Sequence, residues 1–293
     1  MRAPPGRMTN LALLVALLLA FATGTVVVAA GSSPGRWVAL AHGVVGVAVV
    51  LLIPWKTRII RRGLRRARRS RWASLLLAAL ASITVLTGLG YATGLLRSGA
   101  LTAVAGSVYL ATASVVRVAG LPGAARRFTG SYDAGSFDPA AMPNTVWLDD
   151  QTPGIDAHSW RLVVVDADGE RALSLDELAA FDVHMRAVLD CTGGWYAEQD
   201  WTGVPVSALV RNRGNAQSLL VRSATGYWIR FPARDLDRLL LATRVGGAPL
   251  AARHGFPARL VAPGRRGFWW VKWVDRIELQ DTPWWWQPPF PVT

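Results

Sequence analysis

The sequence predicts two structural classes in one chain: an all-α region of four membrane-spanning helices over residues 1–118, then an α+β globular domain from about residue 137. Three observations predict this. Four apolar runs, at about 8–30, 37–54, 73–96 and 99–118, each approach the roughly 20 residues a helix needs to cross a bilayer. Residues 1–132 hold 16 of the 32 basic residues and none of the 19 acidic ones, so the first stretch carries +16 and the remainder −3. From Val146 onward, turn signals and short strand patterns replace the long apolar runs.

The first run is too long for a cleavable signal peptide, and three more apolar runs follow it. Helices are expected because isolated strands leave backbone groups unpaired in lipid. Trp37, Trp55 and Trp72 sit at apparent helix ends, where an amphipathic ring meets the headgroups. The fourth run contains Gly99, Gly106, Thr112, Ser114 and Arg117, a composition that suits close helix packing as well as a span.

Orientation follows from the basic residues. Arg2 and Arg7 precede the first run, nine basic residues crowd Lys56–Arg71 after the second, and Arg126 and Arg127 follow the fourth. The other two connections carry only Arg36 and Arg97. With four spans, positive-inside counting makes this a multi-pass protein of the cell membrane with both termini and the globular domain in the cytoplasm. If run four does not cross, the domain lies outside. A sequence pI near 11.2 invites a nucleic-acid reading, but the charge is concentrated in one loop between apolar runs and no base-reading motif accompanies it. The bilayer is the expected partner, and nucleic acid is not.

The membrane half has an internal repeat. Thr23-Gly24 recurs as Thr87-Gly88, and at that offset His42 falls on Gly106. The segment LAHGVVGVAVVLLIPWK resembles the haem-bearing helix of small membrane b-type cytochromes. His42 is the sole histidine in residues 1–132, so no bis-histidine haem b can form within one copy. A hydrogen bond between helices is then the simpler role for His42.

Residues 119–136, rich in Gly, Pro, Ala and Ser, form a linker. In WRLVVVDADGERALSLDELAAF, Asp168-Gly169 predicts a turn between two strands. Ser174 and Glu177 predict a capping box at the helix that follows. Asp166 and Asp168 do not fit a calcium loop, because counting from Gly169 puts Val164 and Leu175 at the first and twelfth ligand positions. There is one cysteine, Cys191, which excludes an intrachain disulfide and any all-cysteine metal cluster within the chain. Taken alone, a lone cysteine is more often a packing residue than a functional one.

Several segments together carry a resemblance: GIDAHSWRLVV, LDCTGGW, SATGYWIRFP, HGFPARLVAPGRRGFWWVKWVDRIEL and the terminal WWWQPPFP. From about Phe137 to Pro289 the chain resembles the molybdopterin-binding domain of the sulfite oxidase family, which implies a domain over 137–293 built on a mixed β-sheet. The resemblance implies Mo-molybdopterin as cofactor and Cys191 as the thiolate that binds molybdenum. It implies His254, Arg259 and Lys272 as cofactor contacts, with backbone donors around Trp270 and Val271 and a hydroxyl contact from Ser223. His158 and His184 match no cofactor position. Where sulfite oxidases have Ala-Gly-Asn after the cysteine, this chain has Thr192-Gly193-Gly194, so sulfite is not the implied substrate. The implied function is a membrane-anchored oxidoreductase carrying out two-electron, oxygen-atom-transfer-type chemistry on a small molecule, with a separate electron-transfer partner. A methionine-sulfoxide-reductase-like enzyme of the same fold is the nearest alternative, and a non-catalytic partner subunit the next.

Overall fold

The computed structural model describes residues 6–29, 34–64, 125–145 and 150–288. The chain divides into two compact units, the first Met1–Tyr132 with Thr192–Trp195 and the second Asp133–Cys191 with Tyr196–Thr293.

In the first unit, α1 (Gly6–Ala29) and α2 (Gly35–Leu64) are long apolar helices. They pack antiparallel: Thr23 lies against His42, and an apolar groove of about 490 Å³ runs between Ala16 and Leu19 on one helix and Val45 and Ala48 on the other. Gly35–Pro54, with a mean hydropathy of 2.2, is the one described helix long and apolar enough to cross a membrane; Leu11–Gly24 is a shorter apolar helix. The apolar part of α2 ends at Pro54, where the second run was expected to end, and the helix itself continues to Leu64, into the basic segment, because Arg and Lys are good helix formers. The third and fourth expected runs, 73–96 and 99–118, lie outside the described residues.

His42 is 5% exposed, and its Nδ1 lies 2.9 Å from Thr23 Oγ1. The Thr23 hydroxyl donates its one proton to the Leu19 carbonyl at 2.6 Å, so it accepts from His42 and fixes the Nδ1–H tautomer. This is the inter-helix hydrogen bond expected for His42.

The second unit is built on two β-sheets, one of them mixed as the resemblance implied. Its strands are β1 (Tyr132–Asp133), β2 (Arg161–Asp166), β3 (Gly169–Ser174), β4 (Val183–Asp190), β5 (Trp195–Pro205), β6 (Ser218–Ser223), β7 (Trp228–Pro232), β8 (Leu240–Val245), β9 (Ala248–Pro249), β10 (Arg259–Val261) and β11 (Val274–Gln280). Two short helices, α3 (Leu175–Ala179) and α4 (Val206–Leu209), interrupt them. One sheet runs β1-β5-β8-β10, with β4 added on β5 and β9 on β8. The other runs β3-β2-β11-β6-β7 and is mixed, because β11 pairs parallel with β2 and antiparallel with β6.

The local signals hold. β2 and β3 form the expected hairpin through Asp168-Gly169, and Ser174 and Glu177 form the capping box of α3, with Ser174 Oγ accepting from Glu177 N and Glu177 Oε2 from Ser174 N. The Asp166 and Asp168 carboxylates secure loops: they accept from Arg211 N at 2.8 Å and from Asn212 Nδ2 at 2.7 Å. Alternation along β2, β6 and β11 buries Leu162, Val164, Leu219, Val221, Val274 and Ile277 completely or nearly so. Burial of such side chains contributes roughly 1.5–3 kcal/mol each. Strand β4 buries Ala187 and Leu189 and leads directly into Cys191.

Candidate cofactor site

Cys191 follows the last residue of β4 and is buried. Three further segments converge on it. The first is the 3₁₀ turn Ala252–His254, closed by Gly255 at φ +113° and leading into Arg259 at the start of β10. A Cβ on Gly255 would lie 3.1 Å from Arg259 Cβ and 3.3 Å from Lys272 Cα, so this position needs glycine for both backbone angle and clearance. The second is Arg266-Gly267, which pairs in parallel with Asp190. The third is Val271–Trp273. Trp273 takes the left-handed conformation at φ +52°, uncommon for a bulky residue, and its Nε1 donates to the Ala252 carbonyl at 2.7 Å. That bond holds the Lys272 loop against the His254 turn.

The polar groups are largely buried. Arg259 is 4% exposed; its Nη1 donates to the His254 carbonyl at 3.0 Å, and its guanidinium lies 5.6 Å from the Trp201 ring and 6.0 Å from the Trp270 ring. Its Nε has no hydrogen-bond partner among the described residues, and neither does Nε2 of His254. Lys272 Nζ donates to Asn144 Oδ1 at 2.8 Å and to the Arg253 carbonyl at 3.2 Å. Burial pushes Arg259 down to about 10 and Lys272 down to about 7. Cys191 is close enough for a thiolate there to favour the charged form of both. His254 is pushed down to about 4, first by burial and then by the charges of Arg259, Arg253 and Lys272, so its ring is neutral at pH 7. The result is a neutral imidazole, a buried guanidinium and a half-buried lysine amine beside a soft sulfur, with unfilled hydrogen-bonding capacity at Arg259 Nε and His254 Nε2.

Cys191, His254, Arg259 and Lys272 are thus brought into one cluster. Val271 is buried, and its carbonyl accepts from Leu260 N at 2.8 Å. Trp270 is different: its amide is committed to the Gly267 carbonyl at 3.0 Å in a 3₁₀ turn, so it offers no free backbone donor, and its ring forms a wall beside Arg259. Ser223 ends β6, where its hydroxyl is taken by the turn through Thr225 Oγ1 at 2.9 Å and Thr225 N at 3.2 Å; Thr225 in turn donates to Asp150. His184 is exposed on β4 between Thr202 and Asp182, and His158 lies in the turn before β2. Neither joins the cluster.

Sequence reasoning missed Arg266. It is 5% exposed, its Nη2 donates to the Cys191 carbonyl at 3.0 Å, and its Nε lies 3.7 Å from Asp190 Oδ1. No spacing rule separates it from its neighbour Arg265, which pairs with Asp235 at 2.7 Å instead.

Residues 149–286 match the model of the oxidoreductase molybdopterin binding domain family. The chain is 29% identical over 166 residues to mitochondrial sulfite oxidase of Mus musculus, covering 44% of this chain and 30% of the relative. It is 29% identical over 148 residues to a candidate protein-methionine-sulfoxide reductase subunit, YedZ1, of Azospira oryzae, covering 47% of this chain and 56% of the relative. Among solved structures, sulfane dehydrogenase SoxCD of Paracoccus pantotrophus is similar at 25% identity and a TM-score of 0.42, over 45% of this chain and 40% of that one. The chain therefore spans under a third of the sulfite oxidase it matches. Over residues 149–286 the chain matches this molybdopterin-binding oxidoreductase family and is similar to sulfite oxidase, and Mo-molybdopterin is the cofactor that this match supports. The residues present fit that group: a buried thiol suits a redox metal, and a buried guanidinium with an unfilled Nε, beside the half-buried Lys272, suits a phosphate-bearing pterin.

Proposed function

We propose that the chain is a membrane-anchored oxidoreductase in which the Cys191 thiolate binds molybdenum and His254, Arg259 and Lys272 hold the pterin. When bound, the cofactor supplies two-electron, oxygen-atom-transfer-type chemistry. The observation that carries this reading is the pair of buried, unpartnered polar atoms, the donor Arg259 Nε and the ring nitrogen His254 Nε2, in the cluster that contains Cys191. Unsatisfied buried polar atoms are costly, and a bound ligand that offers both an anionic acceptor and a donor relieves them. Lys272 adds a second cation and Val271 a backbone position on the same loop. The Trp201 and Trp270 rings exclude water around Arg259, which strengthens its attraction for an anion. Helices α1 and α2, with the further apolar runs, anchor the domain to the lipid bilayer, and an electron-transfer partner removes or supplies electrons singly.

The substrate reading rests on Thr192-Gly193-Gly194 after the cysteine and on the similarity to the Azospira reductase subunit, which together favour a small sulfoxide over sulfite. Full-length protein from a host that makes molybdopterin is expected to hold about one molybdenum per chain, by the single-thiolate argument. Cys191→Ser is expected to keep pterin and lose activity toward methionine sulfoxide. Full activity in that variant overturns the ligand role, and protein free of molybdenum points to the non-catalytic partner subunit.

A further inference from the structure

Three observations meet behind Cys191. Arg266 is buried, and among the described residues its side chain meets the Cys191 carbonyl at 3.0 Å and the Asp190 carboxylate at 3.7 Å. The main chain there pairs in parallel with Asp190 as an isolated bridge. At the next residue, a Cβ on Gly267 would lie 3.0 Å from Cys191 Cα and 3.4 Å from the Asp190 carbonyl, so the two backbones are pressed together with no room for a side chain. The residue that presents the thiol is therefore clamped from one side by a charge-assisted hydrogen bond and from below by direct backbone contact.

We infer that Arg266 is a positioning residue: it fixes the backbone of Asp190-Cys191 and so sets the direction in which the thiolate is presented. It does not touch the cofactor; it acts through the Cys191 carbonyl. A guanidinium suits this task because its fork spans two acceptors held in different directions, the carbonyl and the carboxylate. Methionine, of similar length, leaves both acceptors buried without that partner and frees the loop.

Cys191 is the sole cysteine, so alkylation of the chain reports on this one loop. The inference extends the proposed ligand role of Cys191, and the test separates the two. Full-length protein is made in a host unable to synthesise molybdopterin, and its alkylation by iodoacetamide is timed beside its melting temperature. Arg266→Met is expected to speed alkylation at least about tenfold, equivalent to ~1.4 kcal/mol in loop opening, with Arg266→Lys returning most of the protection. Arg265→Met, which removes the pair to Asp235, is expected to leave the rate unchanged. A native rate in Arg266→Met, or an equal rise in Arg265→Met, overturns the inference. If Arg266→Met does not fold, Arg266→Lys carries the test, with a smaller rise at an unchanged melting temperature expected and a native rate refuting it. In protein loaded with cofactor, Arg266→Met is expected to shift the Mo(V) resonance at native pterin content. If Cys191→Ser leaves that resonance unchanged, the ligand role fails while the alkylation result stands on its own.

Discussion

Replacing Arg259 by methionine separates stability from cofactor binding. The guanidinium is 4% exposed, and burial pushes it down to about 10. Each pKa unit corresponds to about 1.4 kcal/mol, so keeping this group charged costs the folded state about 3 kcal/mol at neutral pH. The sign is unambiguous. A base whose folded pKa is depressed binds its proton more tightly when unfolded, so the penalty is present in full below about pH 10 and is relieved only at higher pH. Against it stand one hydrogen bond to the His254 carbonyl, about 1 kcal/mol, and stacking near Trp201 and Trp270, roughly 0.5–2 kcal/mol. The balance predicts that Arg259→Met, without cofactor, is as stable as the parent or more stable by up to about 2 kcal/mol. At roughly 2–4 °C per kcal/mol for a domain of this size, the melting temperature rises by 0 to about 8 °C. The same variant, made in a molybdopterin-producing host, is expected to retain less than about a tenth of the parent's pterin, the equivalent of losing one charge-assisted contact. Calorimetry on the cofactor-free protein and fluorescence of the oxidised pterin measure the two halves. A variant that melts several degrees lower without cofactor, or one that keeps its pterin, refutes the assignment of Arg259 as an anion-binding residue.

His254, held near 4 by burial and by neighbouring cations, predicts a loss of stability as the pH falls from about 6.5 to 4, because the unfolded chain takes up the proton first; His254→Gln is expected to flatten that part of the melting-temperature profile, and an unchanged profile removes the neutral-histidine reading. The purified protein is expected to show no bis-histidine haem b absorbance, since His42 is bonded to Thr23 and Gly106 stands at the repeat position; a stoichiometric haem spectrum contradicts this unless two copies pair their His42 side chains. For orientation, Asp281→Cys in a Cys191→Ser background is expected to resist a membrane-impermeant thiol reagent in intact cells and to react after lysis. Labelling of intact cells would place the domain outside, with run four not crossing.

The parts legible in the sequence were those with local causes. The β2–β3 hairpin and the capped α3 follow from a turn dipeptide and a four-residue cap, and both formed where expected. His254, Arg259 and Lys272 were legible through a contiguous block, which keeps its spacing whatever the rest of the chain does. Long-range choices were not. That β11 lies between β2 and β6, and that two sheets form, depends on pairings across more than a hundred residues that no window reports. Arg266 was missed for the same reason: its partner is a carbonyl 75 positions away. Trp270 was misjudged because a backbone donor's availability depends on a turn whose hydrogen bonds the composition does not show.

The place of β11 also sets a timetable. It is the last strand among the described residues, yet it lies at the centre of its sheet, joining β2 in parallel to β6. Until residue 280 has left the ribosome, the two halves of that sheet have nothing between them, and the loop bearing Lys272, directly before β11, has no fixed end. Helices α1 and α2 emerge before the second unit is made. Maturation is thus ordered by topology: α1 and α2 before the sheet, the sheet only once β11 is made, and cofactor insertion after it. A chain cut short before β11 would keep Cys191, His254 and Arg259 and still lack the scaffold that gathers them.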